Sequence, residues 1–291
     1  MSNPIVSIII PTFNAEHNIK NCLEYVSKQT YQNLDIIIID NVSSDKTVEI
    51  ANEYKCDVLI VRSTWSEAIQ LGVKHSKGKY YFVLESSLEL FPSLIGECVE
   101  IAENNPKIVG LIGPEYSKGE GFWASCMKLE RLLNIGYELV EAPRFIRKAA
   151  YELVGGYDTL LEFGDDWDFF RRLRKIGKVS RVKNGWFHNE GRPTPYGMML
   201  KKYRYGRTAR KYFTRSVSGR DGIDFFIQFL PIRSNFISGA RILHKAGISI
   251  VLGYILLKTV EAIATGAAIV VSALDESKGR DIRYGVTVRR K

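Results

Sequence analysis

V-S-I-I-I-P-T-F-N, residues 6–14, has four apolar β-branched side chains among its first five residues, the composition of a parallel strand covered on both faces. Pro11 lacks the amide hydrogen that a central ladder needs, so the strand is expected to stop there and pass into a loop. Asn14-Ala15-Glu16 then reads as the start of a helix with Asn14 as its cap. Ligands of open α/β sheets bind beyond the carboxyl ends of the strands, so this corner is a candidate site edge. An ordinary βα turn would look the same in isolation.

The chain around it repeats the pattern. Residues 15–28 place Ile19, Leu23 and Val26 at helical spacing. Residues 34–39 read as a second buried strand and run into Asp40-Asn41-Val42-Ser43-Ser44-Asp45, where Ser44 or Asp45 would cap a helix over 46–54. A third strand is expected over 58–61, a helix over 67–75 stopped by Gly78, and a fourth strand over 80–84 that ends in Glu85-Ser86-Ser87. Strands alternating with helices imply βαβ units and a parallel sheet. The three polar clusters, at 12–14, 40–45 and 85–87, each follow a strand's carboxyl end and are expected to converge on one edge.

The chain has 291 residues, 45% hydrophobic and 25% charged, which is enough to bury a full core and is globular in composition. A net charge of +9 points to an anionic partner: nucleic acid, lipid headgroups or a phosphorylated substrate. Cys22, Cys56, Cys98 and Cys126 form no C-x-x-C pattern, so neither a zinc site nor a disulfide framework is indicated, and a reducing compartment fits. No basic segment followed by an apolar run opens the sequence, so no signal peptide is expected.

In combination, V-S-I-I-I-P-T-F-N, L-D-I-I-I-I-D-N-V-S-S-D-K-T (34–47) and K-G-K-Y-Y-F-V-L-E-S-S (77–87) resemble the nucleotide-sugar-binding half of family 2 glycosyltransferases. The resemblance implies a GT-A fold: an α/β, Rossmann-like, mostly parallel sheet flanked by helices, here over residues 1–215, with a helical, amphipathic C-terminal region over 216–291. It implies that Pro11, Thr12, Phe13, Asn14 and Glu16, with Asp40, Asn41 and Ser43, hold the base and ribose of a nucleoside diphosphate sugar. A carboxylate such as Asp40 can accept from the imino group of uracil or of guanine, which leaves UDP- and GDP-sugars open. Two departures stand out. Relatives end the fourth strand with Asp-X-Asp, whose last carboxylate binds a divalent ion, where this chain has Glu85-Ser86-Ser87. Ser66 to Gly72 also occupies the place of an A-R-N-x-G motif, with Ile69 and Gln70 where Arg and Asn would stand. A serine hydroxyl is a poor ligand for Mg²⁺ or Mn²⁺, so metal use is in doubt.

Downstream, helices are expected over 91–104 and 123–133, a strand over 108–112, and a loop over 113–121. Residues 143–148 and 152–158 resemble the acceptor-side segment, and Gly155-Gly156 also fits a helix C-cap. In F-G-D-D-W-D-F-F-R-R-L-R-K-I-G (163–177), Asp165, Asp166 and Asp168 crowd the first turn of a helix. Capping needs one carboxylate rather than three, and the helix dipole would keep an aspartate ionised. The motif resembles the family's Glu-Asp signature, with Asp165 in the Glu position and Asp166 as general base. His188, in H-N-E-G after a strand over 179–182, resembles a histidine that faces the diphosphate or the metal beside Glu85 and Ser87.

Residues 192–220 hold nine Lys or Arg, five Tyr or Phe and no acid. Lys201, Arg204, Arg207, Lys211 and Arg215 share a helix face; Arg204 and Arg207, with Trp167, are candidates for acceptor or phosphate contact. Anionic lipid is the other reading, and nucleic acid is not expected because no nucleic-acid motif accompanies the charge. Residues 247–274 are mostly apolar, interrupted by Lys258 and Glu261. Tyr254, Lys258, Glu261, Thr265 and Ser272 form a narrow stripe on a helix expected to be buried almost all round, by lipid, by the domain or by a second copy in a homo-oligomer. Residues 277–291 are expected to be disordered or to lie on headgroups. With these features, the resemblance implies an inverting glycosyltransferase with a lipid-linked or glycan acceptor, expected to be peripheral or monotopic on the cytoplasmic face of the membrane. A catalytically impaired, nucleotide-binding membrane scaffold is the alternative. A nucleotidyltransferase is disfavoured by the missing glycine-rich phosphate cradle, and a processive synthase by the missing Gln-x-x-Arg-Trp.

Overall fold

The structure is a computed structural model and describes residues 3–137, 140–216, 239–278, 280–283 and 286–289; of 210, 213–216, 280–283 and 286–289 it describes the backbone alone. The elements run β1 (Val6–Thr12), α1 (Glu16–Ser27), β2 (Leu34–Asp40), α2 (Thr47–Glu53), β3 (Asp57–Ile60), α3 (Trp65–His75), β4 (Tyr80–Val83), β5 (Leu88–Leu90), α4 (Leu94–Asn104), β6 (Ile108–Ile112), β7 (Glu115–Lys118) and α5 (Phe122–Asn134). They continue with β8 (Phe145–Arg147), α6 (Lys148–Leu153), α7 (Asp165–Arg174), β9 (Lys178–Arg181), β10 (Trp186–Asn189), α8 (Pro195–Ser216), α9 (Ala240–Ala246), α10 (Ile248–Ser277), β11 (Arg280–Arg283) and β12 (Val286–Arg289). Contacts divide the chain into two compact units, the first comprising Met1–Tyr116, Ala142–Thr159 and Asp166–Asn189, the second Ser117–Glu141, Leu160–Asp165 and Glu190–Lys291.

The first unit holds a seven-stranded sheet of order β3-β2-β1-β4-β8-β6-β9. It is parallel except at β8, which pairs antiparallel with β4 and β6. Ile8, Ile9, Ile10, Ile37, Ile38 and Ile39 are all essentially inaccessible, alternating between the two covered faces as the isoleucine runs predict. Each such side chain contributes roughly 1.5–3 kcal/mol by leaving water. Because β8 runs against its neighbours, its first residue lies at the same edge as the carboxyl ends of β1, β2 and β4. A second, small sheet has the order β5-β10-β7, with β10 antiparallel to β5.

Pro11 does not end β1. It stays in register opposite Ile39, and Thr12 pairs Asp40. The Ile9 carbonyl receives the Leu84 amide and the Thr12 carbonyl receives the Asn41 amide. Main-chain groups therefore alternate between the β4 and β2 sides, which turns the Pro11 nitrogen to the β4 side, past the last β4 partner, where no ladder bond is lost. Asn14 is not the cap of α1, whose first turn has no local side-chain cap. Asp45, in the next βα loop, and Thr47, the first residue of α2, take the Glu16 and Ala15 amides instead. The expected loop over 113–121 contains β7, and the tetrad Trp186–Asn189 is itself a strand. Gly155 and Gly156 follow α6 with φ of 78° and 70°, as a C-cap requires.

In the second unit, α10 packs against α8 and α5. Gly206 lets α8 approach the backbone of Thr265 at a distance that a Cβ would not allow. The polar stripe of α10 is the buried one: Tyr254, Lys258, Glu261, Thr265, Ser272 and Asp275 face inward. Ile248, Leu252, Leu256, Ile263, Val270 and Leu274 are exposed, so the chain itself covers the helix on one side. The inward ions are paired: Lys258 donates to Glu130 and Glu261, and Arg207 to Asp275. Arg207, a candidate for acceptor or phosphate contact, is 5% exposed and engaged by Asp275; Lys201 and Arg204 are exposed. Within the span expected to be disordered or to lie on headgroups, β11 and β12 pair antiparallel.

Candidate functional site

The carboxyl ends of β1 and β2 build one half of the site within the first unit. Asp40 is fully buried, and its carboxylate accepts from the Thr12 hydroxyl at 2.9 Å, the Ser43 amide at 2.8 Å and the Ser43 hydroxyl at 2.6 Å. Ser43 Oγ in turn accepts from the Asn14 amide at 2.8 Å, and Asn14 Oδ1 accepts from the Ser44 amide at 2.9 Å. Glu16 Oε2 takes the Lys46 amide, and Asn41 Oδ1 takes the Ser63 amide. The two loops are thus laced side chain to backbone. Asn14 and Val42 hold left-handed backbone at φ 47° and 58°. For a β-branched valine that conformation is a genuine outlier, of the kind that persists only where surrounding contacts over-determine it. Phe13, Asn14 and Val42 are exposed at the rim, while Pro11, Glu16, Asn41 and Ser43 are half-buried.

The other half gathers at the ends of β4, β7, β8 and β10. Glu85 Oε1 accepts from Arg144 Nη2 at 2.6 Å, and Glu115 Oε2 lies 4.0 Å from the same nitrogen. His188 Nδ1 lies 2.9 Å from Glu115 Oε1, and its Nε2 lies 3.2 Å from Ser87 Oγ. A carboxylate only accepts, so in the neutral ring Nδ1 carries the proton and Nε2 accepts from the serine hydroxyl. Burial by itself raises the Glu85 carboxyl, but the charge and hydrogen bond of Arg144 lead the interactions that hold it below the ordinary glutamate range.

Asp166 belongs to the same unit as Asp40 and Glu85, and its carboxyl feels the charges of Arg144 and Glu85. Burial pushes that carboxyl above the usual aspartate range. The Trp167 amide, which donates to Oδ1 at 2.8 Å, and Arg144 oppose the shift, and Glu85 adds to it. The dipole argument, which kept this group at or below its ordinary value, is outweighed by desolvation. A base with a raised pKa is the stronger proton acceptor. Asp168 has a different role: it accepts from Arg171 and Arg172, one turn on, and fixes the helix. Asp165 is buried at the start of α7, on the second unit's side of the division, and Trp167 is half-buried.

Arg144 is the residue that sequence reasoning missed as a site group. Its main chain is held by the sheet, its carbonyl receiving the Val83 amide, and its guanidinium stands 5.6 Å from the centre of the Trp186 ring. Among the described residues no group of three or more His, Cys, Asp or Glu side chains is arranged to hold a metal ion. The expected donors are each engaged: Glu85 by Arg144, and Ser87 and both His188 nitrogens by one another and Glu115. These residues do not fit a divalent cation as they stand.

The sequence profile of glycosyl transferase family 2 matches residues 7–152, half of the chain. An uncharacterized glycosyltransferase of Rickettsia prowazekii is 23% identical over 193 residues, covering 61% of each chain. A PGL/p-HBAD biosynthesis glycosyltransferase of Mycobacterium tuberculosis is 28% identical over 182 residues, covering 58% of this chain and 69% of the relative. The chain spans about six tenths of the length of the Rickettsia relative and of an uncharacterized glycosyltransferase of Haemophilus influenzae. Among solved structures, the mannosyltransferase PcManGT of Pyrobaculum calidifontis, in complex with GDP-Man and Mn²⁺, superposes with a TM-score of 0.65 at 15% identity, covering 95% of this chain and 89% of that one. S. aureus TarS residues 1–349 with UDP-GlcNAc gives 0.51 at 15% identity, covering 98% and 96%. These likenesses show the fold, a mixed α/β GT-A architecture with a mostly parallel sheet. With the family profile, they establish that this chain is a member of glycosyl transferase family 2.

Proposed function

We propose that the protein is an inverting glycosyltransferase that takes a sugar from a nucleoside diphosphate donor. The observation that carries the reading is the gathering, in one unit, of the Asp40-laced loops, the Glu85–Arg144 pair and Asp166, whose carboxyl feels both charges of that pair. The base and ribose belong in the cradle of Pro11, Thr12, Phe13, Asn14, Glu16, Asn41 and Ser43. Asp40 has three of its roughly four acceptor positions filled and no exposure, so its part is to hold Thr12 and Ser43 in place. Asp166 removes the proton of the acceptor hydroxyl as that oxygen bonds to the sugar carbon. The bond from that carbon to the diphosphate breaks on the opposite face, and the electron pair leaves with the diphosphate. UDP- and GDP-sugars are both compatible, since the solved relatives hold GDP-Man and UDP-GlcNAc respectively.

The acceptor is lipid-linked, and the protein is monotopic at the cytoplasmic face of the membrane. Helix α10 is long and apolar enough to cross a membrane. Its inward stripe, however, is tied by ion pairs to α5 and α8, and its outward stripe is apolar from Ile248 to Leu274. A 30-residue helix of that kind, about 45 Å long, lies in the headgroup plane rather than spanning. Exposed Arg241, His244 and Lys245 on α9, just before it, supply charge for anionic lipid. The test is incubation of the full chain with UDP- or GDP-sugars and a membrane lipid extract, with products read by mass spectrometry. A glycosylated lipid is expected with wild type and absent with Asp166→Asn. A fully active Asp166→Asn refutes the base assignment. Nucleotide binding without any transfer favours the scaffold reading, which the Glu85-Ser86-Ser87 substitution motivates.

A further inference from the structure

The donor's diphosphate, leaving the cradle on β1 and β2, next meets the end of β4. In many enzymes a divalent cation stands there, and here the space at Glu85 is taken by a guanidinium. Three placements bear on what that guanidinium does. It is fixed at its root, because the Arg144 carbonyl receives the Val83 amide at 3.0 Å. It is fixed at its tip, by Glu85 at 2.6 Å, and flanked by the indole of Trp186, itself 3% exposed. It also keeps 19% of its side-chain surface in solvent. A preorganised, solvent-touching cation at the carboxyl edge of a parallel sheet suits a planar fork of donors meeting phosphate oxygens. Its carboxylate neighbours Glu85 and Glu115, with Asp166 within electrostatic reach, would otherwise repel a diphosphate.

We propose that Arg144 is the diphosphate ligand of this protein and that it replaces the divalent cation, so that donor binding is independent of metal. This rests on the reading of the protein as a nucleoside-diphosphate-sugar transferase. The guanidinium holds the donor's phosphates in the ground state and offsets the negative charge that grows on the departing diphosphate. Glu85 then serves to orient Arg144.

The test is calorimetry of the full chain with UDP, GDP and the corresponding nucleosides, in EDTA and in excess Mn²⁺, for wild type, Arg144→Gln and Arg144→Lys. Wild type is expected to bind one nucleoside diphosphate equally in both conditions, within about twofold. Arg144→Gln is expected to lose about 10- to 100-fold in affinity for it, the loss of a charge-assisted bond, with no change for the nucleoside. Arg144→Lys, which keeps the charge without the fork, falls between. Binding that requires Mn²⁺, or an Arg144→Gln protein with unchanged diphosphate affinity, overturns the inference and leaves the transferase reading standing. Failure of wild type to bind either nucleotide under both conditions overturns that reading and the inference together. If the glutamine variant does not fold, the wild-type metal comparison still decides the independence of metal, and Arg144→Lys, with diphosphate affinity reduced or unchanged, decides the role of the fork.

Discussion

Replacing Asp40 with Asn tests whether the cradle depends on one buried carboxylate. In the wild type that carboxylate accepts three hydrogen bonds, from Thr12 Oγ1, Ser43 N and Ser43 Oγ, at 2.6–2.9 Å. Bonds to a charged acceptor are each worth about 1.5–3 kcal/mol, against about 1 kcal/mol for neutral ones. An asparagine turned so that its oxygen still meets the Ser43 amide must point its NH₂ at two hydroxyls, which have to reverse. Ser43 Oγ also accepts from Asn14 N, so the reversal disturbs the positive-φ turn at Asn14 as well. Losing the charge assistance of three bonds gives a destabilisation of about 1.5–6 kcal/mol, a large part of the roughly 5–15 kcal/mol typical of a folded domain. Urea unfolding followed by circular dichroism measures the stability, and calorimetry measures UDP and GDP affinity, expected to fall about tenfold or more as the two loops lose their common anchor. A change in stability below about 0.5 kcal/mol with unaltered nucleotide affinity would refute the reasoning.

Other expectations follow from the same contacts. Lys258→Met removes the hydrogen-bonded cation of Glu130 and Glu261 and leaves Lys202, 3.8 Å from Glu261, as a weaker partner, which should cost about 3 kcal/mol in urea unfolding; a loss under about 1 kcal/mol would mean the cluster is solvated. Burial raises the Glu130 carboxyl, but Lys258 and Lys202 bring it down to about 2. Its contribution to stability is therefore fully present above the ordinary glutamate value of 4.5 and is lost as pH falls towards 2, a slope that Glu130→Gln should flatten. Because Asp166 is raised above 3.8 and must be ionised to accept a proton, transfer should fail on the acid side at a higher pH than an ordinary aspartate would set. An acid limb at or below pH 3.8 speaks against Asp166 as the base. Leu252→Glu and Leu256→Glu should each weaken sedimentation with anionic vesicles about tenfold or more while leaving nucleotide affinity intact; unchanged vesicle binding removes α10 from the membrane account. Val42→Gly relieves a left-handed valine and should stabilise the chain by about 1 kcal/mol.

The sheet was legible because its evidence is local. The isoleucine runs at 8–10 and 36–39 can only be strands covered on both faces, and the polar clusters behind them mark the carboxyl edge. The short strands β5, β7 and β10 were not, since three or four residues show no periodicity and owe their form to one another. Arg144 was hidden for a related reason. It lies 59 residues from Glu85, and what joins them is the antiparallel pairing of β8 with β4, and nothing in the linear pattern of a mostly parallel sheet marks which strand is reversed. The stripe on α10 was visible from the sequence, but which side it faces depends on Glu130 and Arg207, on distant helices. Arg207 and Asp275 carry opposite charges in otherwise one-signed or apolar surroundings, and that mismatch was the available signal. Asp166 stood out by its motif, while its raised carboxyl comes from enclosure that no linear pattern reports.

A crystal structure with UDP or GDP bound tests the central claim most directly. The account predicts the base against Phe13 and Asn14 with Ser43 within hydrogen-bond reach, the diphosphate on Arg144, and the Asp166 carboxylate facing the position where the sugar would follow. A nucleotide seated away from the β1 and β2 ends, or a diphosphate turned away from both Arg144 and Asp166, would contradict it.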